Sequence, residues 1–565
     1  MALMVAFVMA ITGIFVRLLF LQVKDASALE AMARNQRVRT IPLPASRGTI
    51  FDRSGHELAM SLPAKAVFAD PKLINHPWIE ANLVAGELGL QPRTVHDLMV
   101  QTNRFQYLAR GVDTTTATRI QKELVQQKLT GVGFQDETRR YYPAGPLAPQ
   151  VLGFVGIDGA GLEGIERQYN TQLAGRAGQQ VVEEDPSGVL IPQGTNVDQP
   201  PQPGQDLLLT IDKDIQFHAQ MALAAAVKKN HAKGGTVVVL DPHNGDVLAM
   251  ATAPWFDPNH FSTASPDVRR NRAITDAYEP GSVNKVIMAS AAVEDHVLRL
   301  NQTQVIPDQI PIYDHVYHDA EIHPTEPMTL GDIIAYSSNV GAIKTAELMG
   351  ADRFASYLYK FGFGAKTGIA FPGESPGILA PPSKWWGTTL PSVAIGQGIA
   401  VTPLQMAAVY ATIANGGVWV QPRLVRGSVD GAGKFLAAPT PLTRRVVSER
   451  TAQIVTRMLA YGVDVGTGKQ AQIPGFWVAG KTGTARKPLV GQLGYSTKYM
   501  ASFIGFAPAS RPALVVACIL DEPATVFGGI ASAPLFQDIT RFALARLRVP
   551  PAPQPRIPPH AIPVR

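Results

Sequence analysis

The sequence predicts an α+β protein of two domains behind a single membrane-spanning helix, and three observations predict it. The chain has 565 residues, too many for one hydrophobic core, because cores stop growing at roughly 250–300 residues. It opens on an almost wholly apolar stretch, Met1 to Val23, about the length that crosses a bilayer as a helix. Its second half reads as a strand pair, then helices, then strands, then a last helix. That order belongs to an antiparallel sheet covered by helices, with strands from both ends of the segment. Composition agrees with a folded protein: 46% of residues are hydrophobic and 17% charged. The net charge of +6 comes from scattered Lys and Arg. No basic block of the kind that binds nucleic acid is formed, and the sign suits an anionic cell envelope.

The apolar segment, 1–23, carries one charge, Arg17, near its far end. A cleaved signal peptide would use the small-residue site Ala26-Ser27-Ala28, but it lacks a basic start and would be interrupted by Arg17. A retained signal anchor lets Arg17 snorkel to the outer interface, and that is the reading favoured here. No Lys or Arg precedes the run, so a short basic cytoplasmic tail upstream is expected.

Residues 24–204 read as an irregular α+β domain. Ala26–Arg37 has helical spacing. Arg47-Gly48-Thr49-Ile50-Phe51-Asp52-Arg53-Ser54-Gly55 reads as strand, turn, strand, with Ser-Gly as the turn. Helical patterns follow at Ile79–Leu88 and Thr114–Gln127, and the region ends on the bend or linker Gln199-Pro200-Pro201-Gln202-Pro203-Gly204. Residues 205–548 form the second domain. Leu207–Asp212 leads into an amphipathic helix over Lys213–Lys229. Gly234–Asp241 and Asp246–Met250 make a hairpin around Asn244-Gly245, the strongest short hairpin signal. Helices dominate Lys285–Tyr410. Strands return at Phe476–Thr484, Met500–Phe506 and Leu514–Asp521, and Pro534–Leu547 is the closing helix. The single cysteine, Cys518, sits in the apolar run 515–520 and is read as a buried strand residue. The tail, 549–565, is Pro-rich and expected to be disordered.

Three motifs in this second domain carry chemistry. Ser282-Val283-Asn284-Lys285 opens an apolar helical run, so Lys285 stands one turn from Ser282 on the same face. A serine is a poor nucleophile until a base takes its proton, and a lysine is a base only where desolvation or a nearby cation lowers its pKa. Lys481 is a candidate for that cation. Ser337-Ser338-Asn339 lies between helical patterns at Thr329–Tyr336 and Val340–Met349. There Ser337 can relay a proton and Asn339 can hold a substrate amide. Lys481-Thr482-Gly483-Thr484 continues a strand. An exposed cation and two hydroxyls can clamp a terminal carboxylate, Gly483 lets a substrate backbone come close, and the N–H groups of Ser282 and Thr484 form an oxyanion hole. Each motif alone is more often a helix cap or a turn. Their joint occurrence, in this order, on the expected local structure, is what singles them out.

These residues resemble the penicillin-binding transpeptidases. Arg47-Gly48-x-Ile50-x-Asp52-Arg53-x-Gly55, Gly161-Leu162-Glu163-Gly164, Glu279-Pro280-Gly281-Ser282 and Gly528-Gly529-x-x-Ser532-Ala533-Pro534 look like the class B, monofunctional branch. Ala64–Lys72 looks more like its cell-division enzymes than its elongation ones. The resemblance runs from the anchor to about Leu547. It implies a transpeptidase domain of the penicillin-binding and serine β-lactamase fold on a non-catalytic pedestal of the dimerisation type. It also implies a catalytic domain facing the periplasm that cross-links peptidoglycan stem peptides during septal wall synthesis. β-Lactams would acylate Ser282, and no cofactor or metal is implied. Its implied partners are a polytopic glycan polymerase of the SEDS type and other division-complex membrane proteins. Phe527 stands where these enzymes often carry an aromatic hydroxyl.

The same motifs occur in proteins of other kinds, each of which would need a further feature. A serine β-lactamase would need a carboxylate to deacylate the ester, and Glu374 lies at a suitable distance after Asn339, in a context lacking the usual Asn partner. A β-lactam sensor would need several spans. A scaffold that activates the polymerase is compatible with catalysis. Gly159-Ala160-Gly161-Leu162-Glu163-Gly164, with Glu183 further on, fits a dinucleotide fingerprint but lacks the repeated βαβ frame. His315, His318 and His323 suggest zinc only weakly and read as a solvated loop.

Overall fold

The computed structural model describes residues 1–24, 27, 32, 38–183, 197–489, 491–492 and 494–551. Most of the segment 26–37, including Ala26 and Ala28 of the candidate cleavage site, and the tail beyond 551 lie outside the described residues. The chain opens on a helix, Ala2–Leu19, continued by a π-helical turn, Phe20–Lys24. Together they make 23 residues, about 34 Å of helix and enough to cross a bilayer.

The rest divides into two compact units. The smaller holds Met1–Gly48, Ser61–Arg139 and Ala174–Gln205. Its core packs the expected helices, seen at Pro77–Leu88 and Thr114–Gln126, with a further one at Pro92–Met99, around Val67, Ala85, Val95, Met99 and Ile120. Val38–Leu43, Gly178–Glu183 and Val197–Gln199 form a separate three-stranded sheet. The Pro-rich stretch at its end is tied down rather than free: Gln202 exchanges backbone hydrogen bonds with Arg176, and Gly204 N–H donates to Ser46.

The larger unit holds Thr49–Met60, Arg140–Leu173 and Asp206–Arg565. The single cut expected near residue 204 thus differs from the spatial division in two segments. Hydrogen bonding explains the first: Ile50 and Phe51 pair in parallel with Leu207 and Leu208, and the buried Asp52 carboxylate accepts from Ser54, His56 and Lys213 backbone N–H groups. The elements that carry the site are α1 (Lys213–Lys229), β1 (Gly234–Leu240), β2 (Val247–Ala253), α2 (Lys285–Glu294), α3 (Leu330–Ala335), α4 (Asn339–Met349), α5 (Pro403–Ala414), α6 (Glu449–Asp464), β3 (Ala479–Pro488), β4 (Tyr495–Ala507), β5 (Leu514–Asp521) and α7 (Ala533–Arg546). Asp212 caps α1, accepting from Asp214 and Ile215 N–H, and Lys228 and Lys229 complement its C-terminal dipole.

The five strands form one antiparallel sheet in the order β2-β1-β5-β4-β3. Both faces are covered, and the period of two sorts the side chains between them. Val237, Val239, Val516, Cys518 and Phe503 pack with Ile215 and Ala219 of α1 and Phe536 and Ile539 of α7. Val238, Leu240, Val515, Ala517 and Ile504 turn the other way, toward Met406 and Val409 of α5 and Val286 and Ile287 of α2. A sheet buried on both faces needs continuous apolar strands, which is why 235–240 and 514–520 show no polar alternation. Cys518 is fully buried, and burial pushes its thiol well above the usual range.

Two expectations shift. β3 begins at Ala479, not Phe476, because Phe476 N–H first closes a turn onto Ile473. The segment after α2 is not all helix. Thr303–Ile306 pairs with Glu326–Thr329, and Gln309–Ile312 with His315–His318. Pro307, Pro311, Pro324 and Pro327 stop a helix here, and an edge ribbon tolerates them.

The glycines of the fingerprint-like loop serve packing. A Cβ on Gly161 would lie 1.9 Å from the Glu166 carbonyl oxygen, and Gly164 has φ +62°. The loop folds onto itself, with Leu162 N–H donating to Phe154 O, and the helix it opens, Gly164–Gln168, has five residues.

Candidate active site

Ser282 lies in a short 3-10 turn, Gly281–Asn284, that leads into α2, rather than in the first turn of the α-helix itself. Gly281 has φ +59° and donates its N–H to Gly396 O at 3.0 Å, so a glycine is needed to make the bend. Tyr410, buried in α5, braces the turn by donating its hydroxyl to Val283 O at 3.0 Å. Ser282 is half-buried, and among the described residues its hydroxyl has no hydrogen-bond partner.

Lys285 follows, and every residue of α2 from Lys285 to Val293 is buried. Its amine is held on the second motif: it donates to Ser337 O at 2.6 Å and to Asn339 Oδ1 at 2.7 Å, with Ser337 Oγ at 3.4 Å. Ser337 takes a left-handed conformation, φ +63°, a costly state for a non-glycine residue. That bend turns its carbonyl onto the amine. Ser338 then caps α4, its hydroxyl accepting from Gly341 N–H at 2.9 Å. Burial pushes the Lys285 pKa down to about 7, against an upward pull from the Asp319 carboxylate. Of the two causes left open by the sequence, desolvation is the one at work, and Lys481 is not among the groups that shift it.

The third motif lies on β3, whose neighbour in the sheet is β4. Lys481 is not the exposed cation expected. It is 2% exposed, and its amine donates weakly to Thr482 O and Oγ1, both at 3.3 Å. Burial first, and the Lys285 charge second, push it well below the usual lysine range. Two cations cannot both be comfortable here, and an incoming carboxylate would supply the missing counter-charge. Thr482 Oγ1 is 2.7 Å from Thr467 Oγ1, and Thr484 Oγ1 accepts from Gly528 N–H at 3.2 Å. Gly528 and Gly529 allow that segment to lie on β3, since a Cβ on Gly528 would meet Gly483 O at 2.4 Å.

Gly483 also serves packing within the fold. A Cβ there would stand 2.3 Å from Ser502 Oγ, 3.0 Å from Val283 Cγ1 and 3.2 Å from Pro280 O. The glycine is what lets β3 lie against the turn that carries Ser282. Gly483→Ala is therefore expected to push strand and turn apart and to lower the acylation rate about 10- to 100-fold, in line with ångström-scale misplacement of a nucleophile. Stopped-flow acylation with a chromogenic β-lactam checks it.

The structure thus brings all three motifs to one place. Lys285 joins the first to the second, and Gly281 and Gly483 join the first to the third. Residue-by-residue reading missed Asp319. It follows the hairpin strand His315–His318, whose last carbonyl accepts from Asn339 Nδ2 at 2.8 Å, and its carboxylate accepts from Ser338 Oγ at 2.6 Å. The histidine-bearing segment therefore packs on the Ser337-Ser338-Asn339 turn, while His315 and His318 themselves are exposed. Glu279 was also missed as a brace: it accepts from Gly398 N–H at 2.9 Å and from the Tyr495 hydroxyl at 3.2 Å, and burial raises its pKa. No local spacing signals either contact, since both partners are remote in sequence.

A half-buried serine beside a buried, desolvated lysine and a polar turn, backed by a strand carrying Lys-Thr-Gly-Thr, defines a serine acyl-transfer site of the Ser-x-x-Lys class. Comparison with known proteins agrees. The penicillin-binding protein transpeptidase domain matches residues 235–541 and the penicillin-binding protein dimerisation domain residues 42–209. The chain is 36% identical over 571 residues to penicillin-binding protein PbpB of Mycobacterium tuberculosis, covering 95% of this chain and 83% of that one. It is 33% identical over 555 residues to peptidoglycan D,D-transpeptidase FtsI of Escherichia coli, covering 96% and 91%. The crystal structure of penicillin-binding protein 3 from Mycobacterium tuberculosis, complexed with aztreonam, superposes with a TM-score of 0.73 at 32% identity, covering 91% of this chain and 98% of that one. The chain belongs to the class B penicillin-binding proteins.

Proposed function

We infer that this chain is a peptidoglycan D,D-transpeptidase that works through a serine acyl-enzyme and is inhibited by β-lactams. The observation that carries the reading is the Lys285 amine, buried, lowered to a pKa of about 7 and fixed by Ser337 and Asn339 one turn from Ser282. In the proposed mechanism Lys285 accepts the Ser282 hydroxyl proton as Oγ attacks the penultimate D-Ala carbonyl of a pentapeptide stem. The backbone N–H groups of Ser282 and Thr484 stabilise the oxyanion. The C–N bond then breaks, the leaving amine takes a proton relayed through Ser337, and terminal D-Ala departs. An amine from a second stem attacks the ester, its proton returns through the same groups, and the cross-link forms as Ser282 is released. Asn339 orients the stem amide, and Lys481, Thr482 and Thr484 hold its terminal carboxylate. Pairing that carboxylate with Lys481 answers the cost of a buried amine with little to bond.

The same reading places the chain in the cytoplasmic membrane through its N-terminal helix, with the catalytic unit on the periplasmic side. It assigns the enzyme to septal wall synthesis alongside a SEDS-type glycan polymerase and other division-complex proteins. The relative named FtsI and the character of residues 64–72 support division over elongation. The β-lactamase alternative loses its carboxylate: Glu374 is buried and its Oε1 accepts from Thr367 N–H and Oγ1, each at 2.6 Å. The test is intact-protein mass after exposure to a penicillin. A single adduct that persists for hours is the result expected, and one that disappears within seconds would mean hydrolysis.

A further inference from the structure

We propose that Asp319 and His323 form a positioning pair that fixes the Ser337-Ser338-Asn339 turn and electrostatically biases the base Lys285. The proposal rests on Lys285 acting as that base.

Asp319 is placed by the hairpin Gln309–Ile312 with His315–His318, and its N–H closes the ribbon onto Asp308 O at 2.8 Å. Both carboxylate oxygens are fully used. Oδ1 accepts from the Asn339 N–H and from the Val340 N–H at 3.0 Å; Oδ2 accepts from Ser338 Oγ at 2.6 Å and faces His323 Nε2 at 3.1 Å. The carboxylate thus occupies the N-terminus of the 11-residue α4, where the helix dipole favours a negative charge. It makes no hydrogen bond to Lys285 but grips Ser338, Asn339 and Val340, the first between and the others at or beside the groups that Lys285 bonds.

His323 completes the pair. Its Nδ1 faces Pro324 O at 2.8 Å and, further off, Glu326 Oε1 at 3.5 Å, while Nε2 faces the Asp319 carboxylate. Both ring nitrogens meet groups that only accept, so the imidazolium alone satisfies both, and its pKa is raised, first by the Pro324 carbonyl and then by Asp319. The titratable groups around the base are therefore Asp319, pulling its proton on; Lys481, itself pushed well below the usual lysine range; and His323, set against Asp319, with Glu326 behind it. Neutralising Asp319 and neutralising His323 must move Lys285 in opposite senses. A merely structural support would move it in neither.

The experiment uses the full chain and measures the second-order rate of acylation by a penicillin from pH 5 to 9. In the wild type the rate rises through the Lys285 ionisation. Asp319→Asn keeps the shape of the carboxylate and removes its charge, so the acid limb is expected to move about one pH unit lower, a typical effect of an opposite charge nearby. His323→Gln keeps a donor toward Asp319 and removes the cation, so the limb is expected to move to higher pH. Asp319→Ala, which empties the grip, is expected to lower the plateau. Limbs that coincide with the wild type, or shift in the same direction in both variants, overturn the proposal. Should Asp319→Asn not fold, an unmoved limb in His323→Gln overturns it alone. A wild type that is not acylated at any pH refutes the serine acyl-enzyme reading instead.

Discussion

Ser282→Ala is expected to abolish covalent labelling by penicillin while leaving the fold intact. The hydroxyl has no hydrogen-bond partner among the described residues, so removing it leaves no buried group unsatisfied. The turn that presents it is held by others: Gly281 N–H on Gly396 O, Tyr410 on Val283 O, and Asn284 Nδ2 on Val393 O at 2.9 Å. Acylation needs the nucleophile absolutely, and the loss should be at least about 10⁴-fold. Intact-protein mass gives one adduct for the wild type and none for the variant, with unchanged thermal unfolding. An adduct retained in the variant would move the nucleophile elsewhere. The same variant tests the scaffold alternative in cells, since a purely structural protein would still complement a deletion.

The second large effect concerns Lys285. Its folded pKa is lowered to about 7 from an ordinary value of 10.5. In the proposed mechanism the neutral amine is the active form, so acylation is expected to fall about tenfold per pH unit below pH 7 and to level off above it. The sign for stability follows from the same displacement. Between about pH 7 and 10.5 the unfolded chain binds a proton that the folded chain does not. This residue's contribution to stability therefore rises with pH across that window and is constant on either side of it. Lys285→Met removes the proposed general base and is expected to lower acylation about 10²- to 10⁴-fold at pH 8. Rates measured on both proteins across pH 5–9 check this: the acid limb should be present in the wild type and absent in the variant. A wild-type rate that stays flat through pH 7 would exclude Lys285 as the base.

Much of the molecule was legible before its structure. The α1 helix runs over the residues its amphipathic pattern marks, because Asp212 caps it and the apolar stripe ends at Lys228 and Lys229. The hairpin β1–β2 forms around Asn244-Gly245, and β5 covers Leu514–Asp521. These are local matters of capping, turn chemistry and apolar runs, and adjacent residues settle them. The three motifs were legible for the same reason, since each is a short string on a predictable element. The Pro-rich ribbon at 303–329 was not. Its strands are only four residues each, too short for a period of two to show, and Thr303–Ile306 pairs with the remote Glu326–Thr329.

Local order along the chain was enough to name the candidate side chains for the chemistry, their succession, and the kind of element each sits on. Their state depends on packing between segments remote in the chain. Lys481 reads as an exposed cation from its neighbours in sequence, yet it is buried against a second lysine. Lys285 owes its lowered pKa to burial on all sides and not to Lys481. Gly483 is required by Ser502, Val283 and Pro280, which come from two distant segments. Asp319, in a stretch with no motif, grips the Ser337-Ser338-Asn339 turn from nineteen to twenty-one residues away. Burial and electrostatics are sums over everything that surrounds a group in space, and most of what surrounds these groups is far away in the chain.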